Sequence, residues 1–446
     1  MKISWIAPED LLEYEFRQAE LDGNNISAAR EAWAAAKQNP SGPGDLRSLA
    51  QELLDKIEAQ PFPESLAQRE PLALETIRLL RPAAARISPS LPLNQVELHE
   101  RILGGWLGRA AGCLLGKPVE KTSRAGIKEI LQSVGRWPLA DYFSAHGMSP
   151  ELVAKYPWNR HSGAESLKEN LVCMTEDDDM NYAMLNLRVL ETAGLTFDTG
   201  DVAIAWLENM PALSAFTAER VAYLNLLSYL EPPATATRRN PYREWIGAQI
   251  RADVWGWVSP GNPALAAELA WRDARLSHVR NGIYGEMFVA AMIAAAAGTT
   301  DVESIIAAGL AEIPADCRLA HAVRDAMRLP AQESSWEGVL DRLHQRFGNY
   351  HWVHVINNAA LVVAALAYGR GDYERTICAV VMGGWDTDSN GATAGSVVGT
   401  MLGARQLPAK WIGPLNNRIR SSLKGFDNAA FDDLARRTAA QIVDRA

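Results

Sequence analysis

The chain has 446 residues, 48% hydrophobic and 22% charged, with a formal net charge of -9. That is the balance of a globular protein long enough for more than one compact unit, and it excludes a broadly basic nucleic-acid-binding surface, which works by displacing counterions. Four scattered cysteines without a CxxC pair (Cys113, Cys173, Cys317, Cys378) exclude a thiolate zinc site and a disulfide scaffold and predict a reducing, cytoplasmic setting.

The opening residues Met1 to Trp5 run into Glu9, Asp10 and Glu13, unlike a signal peptide. Leu11, Leu12, Tyr14 and Phe16, then Leu49, Leu53 and Ile57, recur at helical intervals on either side of the breaker run Asn39 to Gly44. Pro82, Pro89 and Pro92 predict a boundary near Asn94. Residues 1–94 are thus expected to be an N-terminal helical extension without a chemical motif, a cap or interaction segment. Residues 95–446 form the second unit.

From residue 95 onward the sequence is rich in Ala, Leu and Val and alternating strand patterns are scarce, so the fold class is all-α. Gly104, Gly108, Gly112 and Gly116 recur every fourth residue, as do Gly391, Gly395, Gly399 and Gly403. Each glycine weakens a helix by about 1 kcal/mol relative to alanine. Spacing of four lays them on one face, which predicts close packing of helix backbones. The first stripe ends in Lys117-Pro118-Val119-Glu120, a proline turn that presents Glu120. The loop Trp158-Asn159-Arg160-His161 then stands as a candidate substrate rim, with Trp158 foremost.

Thr175-Glu176-Asp177-Asp178-Asp179 follows, between apolar Leu171 to Met174 and the helix-like run from Met180. Carboxylates this dense repel one another, and bound cations are the commonest reason to gather them. Asn181 and Tyr182, just inside that helix, are candidate substrate contacts. Further on, His278 is a candidate to orient a loop near the site, the alternative being a satisfied structural histidine. The apolar run Met287 to Gly298 reads as a buried helix, too short to span a bilayer. His351, Trp352, His354, Asn357 and Asn358 precede a second acidic turn, Asp386-Thr387-Asp388-Ser389. Asp386 and Asp388 can aim at one ion from such a turn, with Ser389 adding a neutral oxygen; a plain helix cap is the competing explanation. Oxygen ligands without clustered His or Cys point to Mg²⁺, Mn²⁺ or Ca²⁺.

In order and spacing these three motifs resemble the ADP-ribosylglycohydrolase family, over about residues 97 to 405. That family shows G-x-x-x-G-D-A-L-G-x-P-x-E, here Gly108 to Glu120; T-D-D-T before an apolar helix, here Thr175 onward; and G-D-T-D-[TS], here Trp385 to Ser389. The resemblance implies an all-α fold holding two divalent cations, Mg²⁺ or Mn²⁺, and hydrolysis of an N- or O-glycosidic bond at the anomeric carbon of ribose. The substrate would be a small ribosyl compound or an ADP-ribosylated macromolecule. By the same resemblance Asp386, Asp388 and Ser389 are metal ligands, joined by Thr175, Glu176 and Asp177 or, shifted by one, by Glu176, Asp177 and Asp178. Glu120, Asp177 and Asp388 are the implied catalytic residues. Cys113 stands where the family has Asp, and Trp385 where it has Gly, so Trp385 is a candidate to stack on a base. Two other expectations stay open. One is a hydrolase of small free ribosides, favoured by a compact pocket closed by Trp385 and the N-terminal segment. The other is a non-catalytic ligand-binding relative. Neither membrane nor nucleic acid is an expected partner.

Overall fold

The computed structural model describes residues 3–38, 42–82, 94–159 and 162–442. Among these residues there are twenty-four α-helices, seven short 3-10 turns and no strand, with three isolated β-bridges. No described helix is long and apolar enough to cross a membrane. The proline-punctuated stretch around Pro89 and Pro92 lies outside the described residues, as do Arg160 and His161.

The two glycine stripes explain the centre of the fold. The helix Gln95–Gly116 starts at a reciprocal cap, in which Asn94 and Glu97 side chains each accept the other's backbone N–H. It packs along the helix Thr387–Leu402. A Cβ placed on Gly104, Gly108, Gly112 or Gly116 would land on the carbonyl of Gly399, Gly395, Gly391 or Thr387, in that order. The reverse holds for Gly391, Gly395 and Gly399. The helices are therefore antiparallel, with backbone against backbone. Missing side chains allow the approach. Thr387 Oγ1 fastens the upper end by donating to the Gly116 carbonyl at 2.8 Å. That end carries Glu120 on one chain segment and the acidic turn on the other.

Around this pair lie helices buried on every side. Asn281–Ala296, which contains most of the apolar run read from the sequence, has no exposed residue, the mark of an internal helix. A buried charge network crosses the interior near it. Arg251 pairs with Glu219 at 2.9 Å, Asp273 at 3.1 Å and Glu286 at 3.6 Å.

The N-terminal helices Pro8–Leu21, Ser27–Gln38 and Pro43–Glu58 do not stand apart. Leu11, Leu12 and Phe16 share one apolar cluster with Ala218, Val221, Tyr242 and Trp245. Buried ion pairs reinforce the joint. Arg243 meets Glu15 and Asp22 at 2.8 Å each, and Arg280 meets Asp22 at 2.6 Å. Asp22→Asn leaves two buried guanidinium groups short of one partner. It is expected to cost about 2 kcal/mol, below the full penalty of a broken buried pair because Glu15 and Glu244 remain. Urea denaturation midpoints check this.

Candidate functional site

The acidic turn forms where the glycine-striped helix Thr387–Leu402 begins. Asp386 occupies the cap position, yet its side chain makes no capping bond. A plain helix cap therefore does not account for it. Its backbone N–H is held by Asn358 Oδ1 at 3.3 Å, and the same oxygen accepts from Asn390 at 2.7 Å. Asp386 and Asp388 are buried, and ligand atoms of Glu120, Asp386 and Asp388 lie within 4.8 Å of one another. Glu120 follows the short turn Lys117–Val119 at the end of the other helix of the pair and accepts a hydrogen bond from Asn159.

The middle stretch arrives beside them. Asp177 caps the helix Asp178–Ala193, accepting the Asp179 N–H at 3.0 Å. Its other oxygen is bound by the Lys117 ammonium, which also donates to the Glu176 carbonyl at 2.8 Å. Cys113, Asp177 and Asp179 form a second group with ligand atoms within 4.8 Å. Ser389 Oγ joins the two groups, donating to Asp179 Oδ2 at 3.2 Å. Thr175 is turned away, against Ser166 at 3.3 Å, whereas Glu176, Asp177 and Asp178 line the cavity.

Electrostatics separates these carboxylates. Burial pushes Asp386 and Asp388 well above the carboxylate range; repulsion from Asp388, Glu120 and Asp179 adds to it at Asp386, and repulsion from Glu120 and Asp177 adds to it at Asp388, where Lys117 and a hydrogen bond with Asp386 offset it only in part. Burial also opposes charge on Asp177, but its Lys117 partner and its hydrogen bonds win and hold its pKa below the ordinary value. Asp179 is pushed up by burial and by Asp177; Arg109, at 3.3 Å, offsets this only in part. Arg109 in turn bridges to Asp253 at 2.7 Å and donates to the Ile250 carbonyl. Asp179, which sequence reasoning left out of the ligand set, brings a carboxylate next to Cys113, the position where the resemblance expects Asp. The first group, three carboxylates and no compensating arginine within it, is a donor set suited to a hard divalent cation. In the second, Lys117 and the Asp179 N–H engage Asp177, and Arg109 and Ser389 engage Asp179; of the two carboxylates only Asp177 lines the cavity.

Other residues singled out from the sequence lie further off. Tyr182 packs against Trp206 and under Arg251, inside the buried network. His278 is buried there too, its Nδ1 at 2.8 Å from Ser277 Oγ, and burial holds it neutral. Trp385 stacks on His344 at 4.3 Å, with its backbone at φ +60°, the region that favours the glycine of the family pattern. Trp158 packs on Phe143. None of these four lines the cavity. Asn181 does, with its carbonyl oxygen held by Ser421 at 2.7 Å.

The cavity itself measures about 580 Å³. Glu120, Asp177, Asp178, Asp386, Asp388 and Ser389 occupy one part of its lining. Aromatic rings occupy another: Trp5, Tyr14, Phe216, Trp245 and Trp352, with His351. Trp5 and Tyr14 belong to the N-terminal segment and carry no sequence signal beyond their aromatic character. Glu219 also reaches the lining; burial raises it to about 7 despite Arg251.

A model of the ADP-ribosylglycohydrolase family matches residues 94–444. Among solved structures, one described as an ADP-ribosylglycohydrolase-related protein complex superposes with a TM-score of 0.50 at 19% identity, covering 78% of this chain and 98% of that one. That is a likeness of fold. Among curated proteins none matches.

Proposed function

Because the chain belongs to the ADP-ribosylglycohydrolase family, a family of glycosyl hydrolases, we propose that it hydrolyses an N- or O-glycosidic bond at the anomeric carbon of ribose with two divalent cations, Mg²⁺ or Mn²⁺. The substrate is an ADP-ribosyl or related ribosyl compound. One observation carries this reading: carboxylates from three distant segments, Glu120, Asp177 and Asp386 with Asp388, line a single cavity. Remote acidic side chains gathered out of bulk water need counter-charge; Lys117 pairs with Asp177 and Lys121 reaches Glu120, while Asp386 and Asp388 make no ion pair among the described residues.

Asp386, Asp388 and Ser389 would hold one cation with Glu120 beside it, and Asp177 with Asp388 a second; Glu176 and Asp178 stand at the rim. Bound there, such ions would supply Lewis acidity and fix vicinal ribose hydroxyls. The protein's own part is charge and position. Its carboxylates favour the positive charge that develops on the sugar ring in an oxocarbenium-like transition state. Glu120, held by Asn159, would take the proton of the attacking water.

Glu120→Gln keeps the Asn159 contact while removing the base. It is expected to lower kcat about 10²- to 10⁴-fold with Mn²⁺ affinity changed much less. Steady-state kinetics on ADP-ribosyl-arginine beside a calorimetric Mn²⁺ titration checks this. Turnover equal to that of the unmodified protein removes Glu120 from the role. Absence of saturable Mg²⁺ or Mn²⁺ binding removes the metal-dependent reading and favours a non-catalytic relative.

A further inference from the structure

The segment before residue 94 lies outside the part matched by the family, yet two of its side chains line the same cavity as the carboxylates. Trp5 sits in a turn with φ +65°, a conformation a bulky residue rarely adopts. Two contacts hold it. Its ring meets Phe216 edge-on at 5.7 Å. Buried Arg220 lies over the ring at 5.2 Å and donates to the Ser4 and Leu213 carbonyls. Tyr14 meets Trp245 at 5.5 Å and His351 at 5.7 Å, both edge-on. His351 stacks on Trp245 at 4.2 Å and is kept neutral, its pKa lowered by burial and Arg17 to about 4.

This wall is tied to the acidic turn. Trp352 follows His351, and its carbonyl accepts from Asn358, whose oxygen holds the Asp386 N–H. Lys121 lies over the Trp352 ring at 5.7 Å and reaches Glu120 at 3.6 Å. The aromatic and acidic parts of the cavity are thus neighbours at a fixed separation. Both Trp5 and Tyr14 are only half-buried, so ring surface remains open to the cavity. The described lining carries eight acidic side chains against two lysines; two bound divalent cations would offset four of the remaining six charges, so the lining offers no surplus of positive charge to an anionic ring.

We propose that Trp5 and Tyr14 are specificity-determining residues, completing an aromatic wall that receives a planar, neutral or cationic ring carried by the ribosyl substrate. Every planar ring has faces on which an aromatic side chain can stack, and a cationic ring gains further from the electron-rich ring faces. The inference deepens the hydrolase reading and rests on it. The N-terminal helices then supply part of the substrate site, and the family-matched portion alone would be incomplete.

The test uses the full-length, Mn²⁺-loaded protein and its Trp5→Ala and Tyr14→Leu variants; the second keeps apolar volume against Tyr242 and Trp245. Substrates are nicotinamide riboside, inosine, a methyl riboside without a planar group, and ADP-ribosyl-arginine. The expected result is hydrolysis of a planar riboside with KM raised about tenfold or more by either substitution and kcat affected far less. The kcat/KM ratio of planar to methyl riboside should collapse in the variants, whereas a merely structural defect lowers both together. Calorimetric Mn²⁺ affinity should not move. Variants that keep this ratio within twofold overturn the inference while leaving the hydrolase reading intact. Turnover confined to ADP-ribosyl-arginine and insensitive to both substitutions does the same. If no substrate is turned over, the hydrolase reading fails, and calorimetric binding of nicotinamide riboside judges the wall. Binding weakened tenfold in the variants supports it, and equal or absent binding overturns it.

Discussion

Asp388→Asn is expected to lower turnover on the order of a thousandfold while leaving the metal-free protein at least as stable as the parent. The two effects have one cause. Asp388 is buried among Asp386, Glu120 and Asp177, and its carboxyl is pushed well above the usual range by burial first and by the charges of Glu120 and Asp177 second. Without a cation that arrangement costs stability, so a neutral amide of the same shape relieves it. With a cation the same oxygen becomes a ligand, and its loss removes charge stabilisation worth about 4 kcal/mol in the transition state, the equivalent of that rate factor. The discriminating measurement is thermal. Mn²⁺ should raise the Tm of the parent protein by mass action on the folded state and should raise that of the variant little or not at all. A variant that keeps both turnover and the full Mn²⁺-induced shift would show that Asp388 is not a ligand.

Gly112→Ala is expected to destabilise the fold by about 3 kcal/mol or more, toward the severe end for single substitutions. On helix propensity alone the change should help by about 1 kcal/mol. Packing reverses the sign, because the new Cβ would fall on the Gly391 carbonyl and neither backbone can turn aside as a side chain would. The helices must separate. They carry Glu120 and the Asp386–Ser389 turn at their adjoining ends, so a shift near 1 Å should cost about a hundredfold in rate even where the protein still folds. Gly413→Ala is the control: a Cβ there meets nothing within 4 Å, and the change should stay within about 0.5 kcal/mol. Denaturant midpoints for both variants, with kinetics on the folded fraction, check the pair.

Several features of this architecture are visible in the bare sequence because they are local. Fourfold glycine spacing on two helices has few uses besides backbone contact, and those stripes face one another throughout. The scarcity of alternating apolar residues leaves little material for sheets, and the described residues hold no strand. The acidic turn and the middle stretch announce themselves by crowded like charge. Less visible is how each carboxylate is neutralised. Asp178 and Asp179 are neighbours of the same chemistry, yet Asp179 meets Arg109 from a helix seventy residues away while Asp178 borders the cavity. Trp385 sits beside the acidic turn in sequence, but the ring it stacks on is His344, from another helix. Tyr182 lies three residues from Asp179 in order, yet it sits with His278 inside the Arg251 network in space.

The sequence by itself determined the helical class, the antiparallel glycine interface's two halves, and the presence of two acidic segments that demand counter-charge, since periodicity and charge density act over a few residues. Only the tertiary structure decided which carboxylates share a cavity, which are already paired, and that Trp5 and Tyr14 stand opposite them. Those outcomes depend on side chains from segments tens to hundreds of residues apart meeting within a few ångströms. Which segments meet is fixed by the joint packing of all the helices, and no local pattern encodes it.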